Sequence, residues 1–227
     1  MSDCSKQPLN GVDVAGESRR PKLVEETKGG VSTRARIVGA AIRTLKERGF
    51  AGASARAIAH TGGFNQALIF YHFGTVNDLL LAALDETSAQ RMQRYRAALN
   101  GIRTLPELMA QAARIYQEDL ESGHIKVLAE LIAGASSSPS LGPEIVARIE
   151  PWVAFTEEVL GRVLAGSPLE PLIPIEDLAF AVVALYLGVE LLAHLNGQLA
   201  RAERLIDTGS RLSSLFAGML PTSRGGE

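Results

Sequence analysis

The chain has 227 residues, 46% hydrophobic and 21% charged, with a net charge of −2, which suits a soluble globular protein large enough for a small module and a larger domain with a buried core. Its single cysteine, Cys4, excludes a disulfide framework or a thiolate metal site. The longest apolar run, Leu178–Val189, is too short to span a bilayer, and the start lacks the apolar core of a signal peptide, so a cytoplasmic location with no membrane partner is expected.

The charge is unevenly spread. Residues 1–30 balance basic against acidic groups, whereas residues 31–77 hold Arg34, Arg36, Arg43, Lys46, Arg48 and Arg56 against Glu47 alone; the remainder is acidic. A basic amino-terminal module on an acidic body is the pattern of a nucleic-acid binder whose second domain does something else. Residues 1–30, rich in Gly, Ser, Pro and mixed charge, read as a disordered tail. Its Arg19, Arg20, Lys22 and Lys28 either stay solvated or touch phosphates.

Ser32 or Thr33 begins a first helix with the apolar stripe Ile37, Ala40, Ala41, Thr44 and Leu45, closed by Gly49-Phe50. Ser54 caps a short second helix carrying Ala55, Ile58 and Ala59, and Gly62-Gly63 ends it, because glycine accepts the positive φ of a helix C-terminus. Asn65 caps a third helix bearing Ile69 and Phe73 at i,i+4. Two brief helices joined by a glycine-containing turn predict a helix-turn-helix over residues 31–76.

Asn77 is the expected cap of a long fourth helix, about 78–100, that opens a carboxy-terminal domain over residues 77–227. Helices follow at 105–122, with Pro106 and Glu107 in the first turn, at 125–135, and at 143–165 with a kink or break at Pro151. Helices at 175–196 and 202–219 end the chain. No strand pattern or internal repeat interrupts them, so the predicted fold is all-α.

The string Ile58-Ala59, Gly63-Phe64-Asn65 and Ile69-Phe70-Tyr71-His72-Phe73, followed by Asn77-Asp78-Leu79-Leu80, resembles the TetR family of bacterial transcriptional regulators over residues 33–84. The resemblance implies a helix-turn-helix domain, a helical body that dimerises and binds a small-molecule effector, and a double-stranded DNA operator as partner. The DNA-facing set it implies is Arg34, Arg36, Ser54, Arg56, Asn65, Gln66, Ala67, Leu68, Tyr71 and His72. Gln66 suits adenine and Arg56 guanine, Ala67 and Leu68 suit thymine methyls, and His72 suits a phosphate. Core packing is the other reading of Leu68. Two positions depart from the family pattern: Phe70 replaces a usual phosphate-binding tyrosine and Val76 a usual lysine, removing two phosphate contacts.

For the body, the candidate ligand-binding residues are Tyr116, Glu130, Trp152, Phe155 and Tyr186. Helix 175–196 is apolar nearly all round and must be buried on more than one side. Ala181, Ala184 and Gly188, with Leu205, Leu212 and Phe216 of the last helix, form the candidate homodimer seam. Tyr186, Glu190 and His194 share one helical stripe. They read either as a wet edge or interface ion pair, or as an acid–base pair in an all-α enzyme or small-molecule-binding protein with the helix-turn-helix as a structural corner. No nucleophile motif, phosphate loop or metal-ligand spacing accompanies them, and neither cofactor nor enzymatic activity is expected.

Overall fold

The computed structural model describes residues 32–122, 124–167, 170–171, 174–196, 204–205 and 207–212. The tail with Cys4 and its basic residues, and Phe216, lie outside them. Eight helices run in order: α1 Thr33–Gly52, α2 Ala55–Gly62, α3 Ala67–Phe73, α4 Val76–Ala98, α5 Leu105–Ser122, α6 His124–Ala135, α7 Leu141–Leu164 and α8 Ile175–Asn196. Residues 204–205 and 207–212 are also helical, and no strand occurs among the described residues. The all-α expectation agrees with this. The described helices belong to one unit that begins at Thr33.

The motif forms for local reasons. In α1 the regular geometry is interrupted at Gly49 (φ 69°, ψ 179°), one turn before the assigned end. Ser54, in extended conformation, caps α2 by accepting the Ala57 N–H at 3.2 Å. Gly63 takes the left-handed conformation (φ 65°, ψ 41°), and the Phe64 N–H returns to the Ala59 carbonyl at 3.1 Å, so the carbonyls left over at the helix end are satisfied. Asn65 Oδ1 accepts from Ala67 N at 2.9 Å and so opens α3 as expected. Ile37, Ile58 and Ile69, one from each helix, are fully buried together.

Two expectations need correction. Thr75, not Asn77, caps α4: it is extended, its Oγ1 accepts from Asp78 N at 3.0 Å and donates to Asp78 Oδ2 at 2.6 Å. Asn77 instead donates its side-chain amide to Ser138 Oγ at 3.0 Å, tying the start of α4 to the loop before α7. Of the kink or break expected at Pro151, the break does not occur: α7 runs continuously from Leu141 to Leu164. A proline removes one donor and forces a local bend, yet apolar residues on both sides of it, Ile145, Phe155 and Val159, are buried and hold the helix in place.

The packing organises around two apolar clusters. The first joins Ile37, Leu45, Ile58 and Ile69 of the motif to Leu79 and Leu80 of α4, Val127 and Leu131 of α6, and Leu141 and Ile145 of α7. Phe50 packs against it, its backbone N–H donates to Glu130 Oε2 at 2.8 Å, and its ring lies over Gly134 so closely that a Cβ there would meet it at 2.5 Å. The second cluster, Leu99, Ile115, Phe155, Val159 and Val163, lies at the far end of α4, between α5 and α7.

The glycine pair of the turn makes two separable demands. A Cβ on Gly63 meets nothing within 4 Å, so Gly63→Ala brings only left-handed strain, about 1–2 kcal/mol. A Cβ on Gly62 would lie 2.9 Å from the Ala40 methyl and closer still to the Phe64 ring, so Gly62→Ala adds overpacking of about 1–3 kcal/mol through displacement of α1. Denaturant titration of the two variants should show loss in both, accompanied in Gly62→Ala by displacement of α1 from α2.

Candidate DNA-binding face and ligand cavity

On the motif, Arg34, Arg36, Ser54, Arg56, Asn65, Gln66, Ala67 and Tyr71 are exposed, Tyr71 at 74%. Ser54 and Asn65 use their side-chain oxygens as caps. Arg34 places its guanidinium carbon 4.9 Å from the Phe73 ring centre, a cation–π contact that anchors the side chain while leaving its charge at the surface. His72 is half-buried, with its ring edge-on to Tyr71 at 5.0 Å. Leu68 differs from its neighbours. It is half-buried and packs on the first core cluster, which favours the packing reading of that residue. Val76 does the same, whereas Phe70 is 50% exposed.

In the body, α4, α5, α7 and α8 enclose a cavity of about 460 Å³, lined largely by leucine, isoleucine and valine together with Met109, Trp152, Phe155 and Tyr186. The size is ordinary for a small-molecule site. Trp152, Phe155 and Tyr186 therefore come together in its wall. Tyr116 and Glu130 do not line it. Tyr116 is 2% exposed in the surrounding core, and Glu130 accepts from Phe50 N, 80 residues away in the chain. Glu130 is a tie between α6 and α1 rather than a ligand handle.

The feature that sequence reasoning missed is Arg91. It stands on α4, 3% exposed, in the cavity wall. Its Nε donates to Asp119 Oδ1 of α5 at 3.0 Å and to Tyr95 Oη at 3.1 Å; its Nη2 donates to Tyr95 Oη at 2.6 Å and also meets Asp119 Oδ2 and Tyr186 Oη. Tyr186 donates to Asp119 Oδ2 at 2.9 Å, and Tyr95 donates to the same oxygen. Around this pair the ring centres of Tyr95, Trp152 and Tyr186 lie 5.0, 5.4 and 5.3 Å from the guanidinium carbon. Burial works against the guanidinium charge, but the Tyr186 and Tyr95 oxygens and the Asp119 carboxylate outweigh it and leave Arg91 raised. Burial pushes both phenols up, so they remain neutral donors. A sequence signal existed: Leu84, Ser88, Arg91, Tyr95 and Leu99 recur at helical spacing, placing Arg91 inside an apolar stripe.

One turn beyond Tyr186, Glu190 is 3% exposed, with Oε1 unpartnered among the described residues. The wet-edge reading of that stripe is thus wrong for Tyr186 and Glu190; the His194 side chain lies outside the described residues. Among the described residues no group of three or more His, Cys, Asp or Glu side chains is arranged to hold a metal. No single helix among the described residues is long and apolar enough to cross a membrane.

A glycine-turned pair of short helices with an exposed second helix, set on a helical body, is the architecture of a helix-turn-helix. Residues 37–83 match the family model described as bacterial regulatory proteins, tetR family. The HTH-type transcriptional regulator CymR of Pseudomonas putida is 25% identical over 134 residues, which cover 57% of this chain and 64% of CymR, so the match spans less than two thirds of that curated relative. A transcriptional regulator from Rhodococcus sp. Rha1 shares the fold with a TM-score of 0.66 at 20% identity, over 85% of this chain and 100% of its own. The multidrug binding protein EbrR, solved in complex with proflavin, aligns with a TM-score of 0.53 at 26% identity, over 78% of this chain and 98% of its own. The likeness to the tetR family of bacterial regulatory proteins is thus one of sequence over residues 37–83, and one of fold with solved transcriptional regulators over most of the chain.

Glu190 supplies a test of the buried cluster. Burial raises its carboxyl above the ordinary 4.5. A group raised in the folded state binds its proton more tightly there, so stability is lost as pH rises from about the unfolded value through the folded one. Glu190→Gln removes that titration. The melting temperature of the variant relative to wild type should therefore climb from pH 4 towards pH 8. A pH-independent difference would show that Glu190 does not titrate in the fold.

Proposed function

We propose that the protein is a transcriptional repressor that binds a palindromic operator as a twofold dimer and is released from it by a small molecule held in the body cavity. The observation that carries the reading is the exposed surface of α3 behind the Gly63 turn, flanked by the unburied Arg34, Arg36 and Arg56. An α3 placed in the major groove puts Gln66, Ala67 and Tyr71 nearest the bases, with His72 and the arginines at phosphates. The likeness to EbrR, a multidrug binding protein crystallised with proflavin, supports a small-molecule ligand. A ligand releases DNA only by binding the DNA-incompetent arrangement more tightly, and the shared core through α4 and α6 gives the cavity a path to the motif. A cytoplasmic location goes with this reading. The domains divide as a tail over 1–30, a DNA-binding module over 31–76 and a ligand-binding and dimerisation body over 77–227. Selection of bound sequences from a random duplex pool tests it: a symmetric motif with half-sites about one helical turn apart, or a small multiple, is expected. An asymmetric motif or none overturns it.

The dimer seam is the outer face of α8. Ala181, Ala184, Leu185 and Leu192 recur there at helical spacing and are exposed, Leu185 at 58% and Leu192 at 61%, and Leu205 and Leu212 of the last helical segment are exposed too. The expectation that α8 is covered on more than one side holds only if a second copy covers this face. A Cβ on Gly188 meets nothing within 4 Å among the described residues. Gly188→Arg should leave the melting profile of the subunit intact and yield monomers by light scattering, because an isologous interface carries the substitution twice. A dimer of unchanged affinity would move the seam elsewhere.

The two departures from the family pattern part company in the structure. Phe70 is half-exposed in the middle of α3, so the hydroxyl of Phe70→Tyr faces solvent, where a phosphate can accept from it. That variant should bind all duplexes more tightly with an unchanged salt slope, since no charge is added. Val76 packs against the core, so Val76→Lys should lower the melting temperature. Salt titrations with thermal melts check both; tighter binding by Val76→Lys at wild-type melting temperature would make the site a missing phosphate clamp.

A further inference from the structure

The cavity wall specifies the charge of what it takes. Among the described residues its lining carries two formal charges, the guanidiniums of Arg91 and Arg148, and no carboxylate. Each guanidinium is already neutralised from behind. Arg91 is held by Asp119, 28 positions away, through both Nε and Nη2. Arg148 donates from Nε to Asp85 Oδ1 at 2.7 Å and from Nη1 to Glu144 Oε2 at 2.9 Å. An anion entering the cavity would find no unpaired cation and would face Asp119 across Arg91. A cation would find no acid in the wall, and the aromatic faces that would attract it are occupied: Tyr95, Trp152 and Tyr186 already surround the Arg91 guanidinium. Glu190 lies outside the lining, and burial drives its carboxyl towards the neutral form. A charged ligand would therefore be desolvated without a partner, a cost that apolar contact does not offset.

One polar opportunity remains. Every hydrogen bond that leaves Arg91 among the described residues leaves through Nε or Nη2. Its Nη1 has two further N–H donors in a fixed plane. Thr156, another lining residue, gives its hydroxyl hydrogen to the Trp152 carbonyl at 2.8 Å.

We propose that the effector is an uncharged, largely apolar molecule carrying one hydrogen-bond-acceptor oxygen, of ketone, ester or amide type, which accepts from Arg91 Nη1 while its hydrocarbon part fills the cavity. The proposal rests on the ligand-responsive reading above and names the ligand class of that site. Arg91 is the specificity-determining residue: its charge is cancelled for net electrostatics and retained for hydrogen-bond strength, because a bond from an ionised donor is stronger than a neutral one.

The test uses the full chain and four probes that share a para-butylphenyl body and differ in one group: para-butylacetophenone, para-butylbenzoate, para-butylphenyltrimethylammonium and para-butylethylbenzene. Trp152, the only tryptophan, stands in the cavity wall and reports occupancy by fluorescence, with calorimetry as a second readout. The ketone is expected to bind about tenfold or more tightly than each of the other three, the effect of one hydrogen bond from a charged donor. Replacing the pair together, Arg91→Met with Asp119→Leu, removes the donor without stranding a buried charge. It should abolish the ketone's advantage, so that ketone and hydrocarbon bind the variant within about twofold of each other, on the same hydrogen-bond accounting. Equal affinity of ketone and hydrocarbon for the wild-type chain overturns the proposal and leaves the cavity reading standing, as does tightest binding by the carboxylate or the ammonium probe. Failure of all four to bind overturns the cavity reading together with the proposal. The wild-type comparison decides the matter even where the double variant does not fold.

Discussion

The body depends on keeping one cation dry. Arg91 sits in an interior otherwise built of leucine and valine, and an isolated guanidinium there would cost several kcal/mol. It is tolerated because Asp119 returns the charge, two phenols supply oxygens, and three rings stack around its plane. Those partners come from α4, α5, α7 and α8. The geometry that satisfies the guanidinium is thus the geometry that spaces the four helices around the cavity. Leucines at these positions would pack in many registers; a hydrogen-bonded ion pair accepts very few.

Above that cluster the motif is held by contacts of another kind. Val127 and Leu131 of α6 complete a core begun by Ile37 and Leu45 of α1, and the Phe50 ring lies on Gly134. A polar tie across this seam, Phe50 N–H to Glu130, falls where Gly49 turns the chain out of helical geometry and frees that N–H. A carboxylate on α6 meets a donor that α1 cannot satisfy by itself. The motif and the body are bonded at the place where the first helix gives out.

What the sequence revealed follows from the range of the forces involved. The helix-turn-helix was legible because its signals are local: Ser54, Gly63 and Asn65 each act on backbone groups within five residues, and all three act as read. The aromatic part of the cavity was legible in Trp152, Phe155 and Tyr186, since large rings on apolar helices have few other places to go. Glu130 was misread because its partner is 80 positions away, and nothing near it in the chain foretells Phe50. Asn77 was misread because Thr75, two residues earlier, offers the better-placed hydroxyl. Arg91 was missed because Gln-Arg-Met-Gln-Arg-Tyr-Arg looks like a solvated face, and only Leu84 and Leu99 on the same stripe betray that one arginine of the three turns inward.

The continuous core across α1, α4 and α6 bears on how such a regulator can be rebuilt. Much of the apolar surface beneath the motif is supplied by Leu79, Leu80, Leu84, Val127, Leu131 and Leu141, none of which lies in the three amino-terminal helices. A chimera that joins this reading head to a foreign sensor at the start of α4 would leave Ile37, Leu45 and Phe50 facing a stranger's side chains, with Glu130 and Gly134 gone. The unit that can be traded between proteins is therefore larger than the motif: the head travels only with the first turns of α4 and the matching face of α6. Grafting new operator specificity onto this scaffold is better done residue by residue on the outside of α3, where Gln66, Ala67 and Tyr71 are exposed and the interior takes no notice.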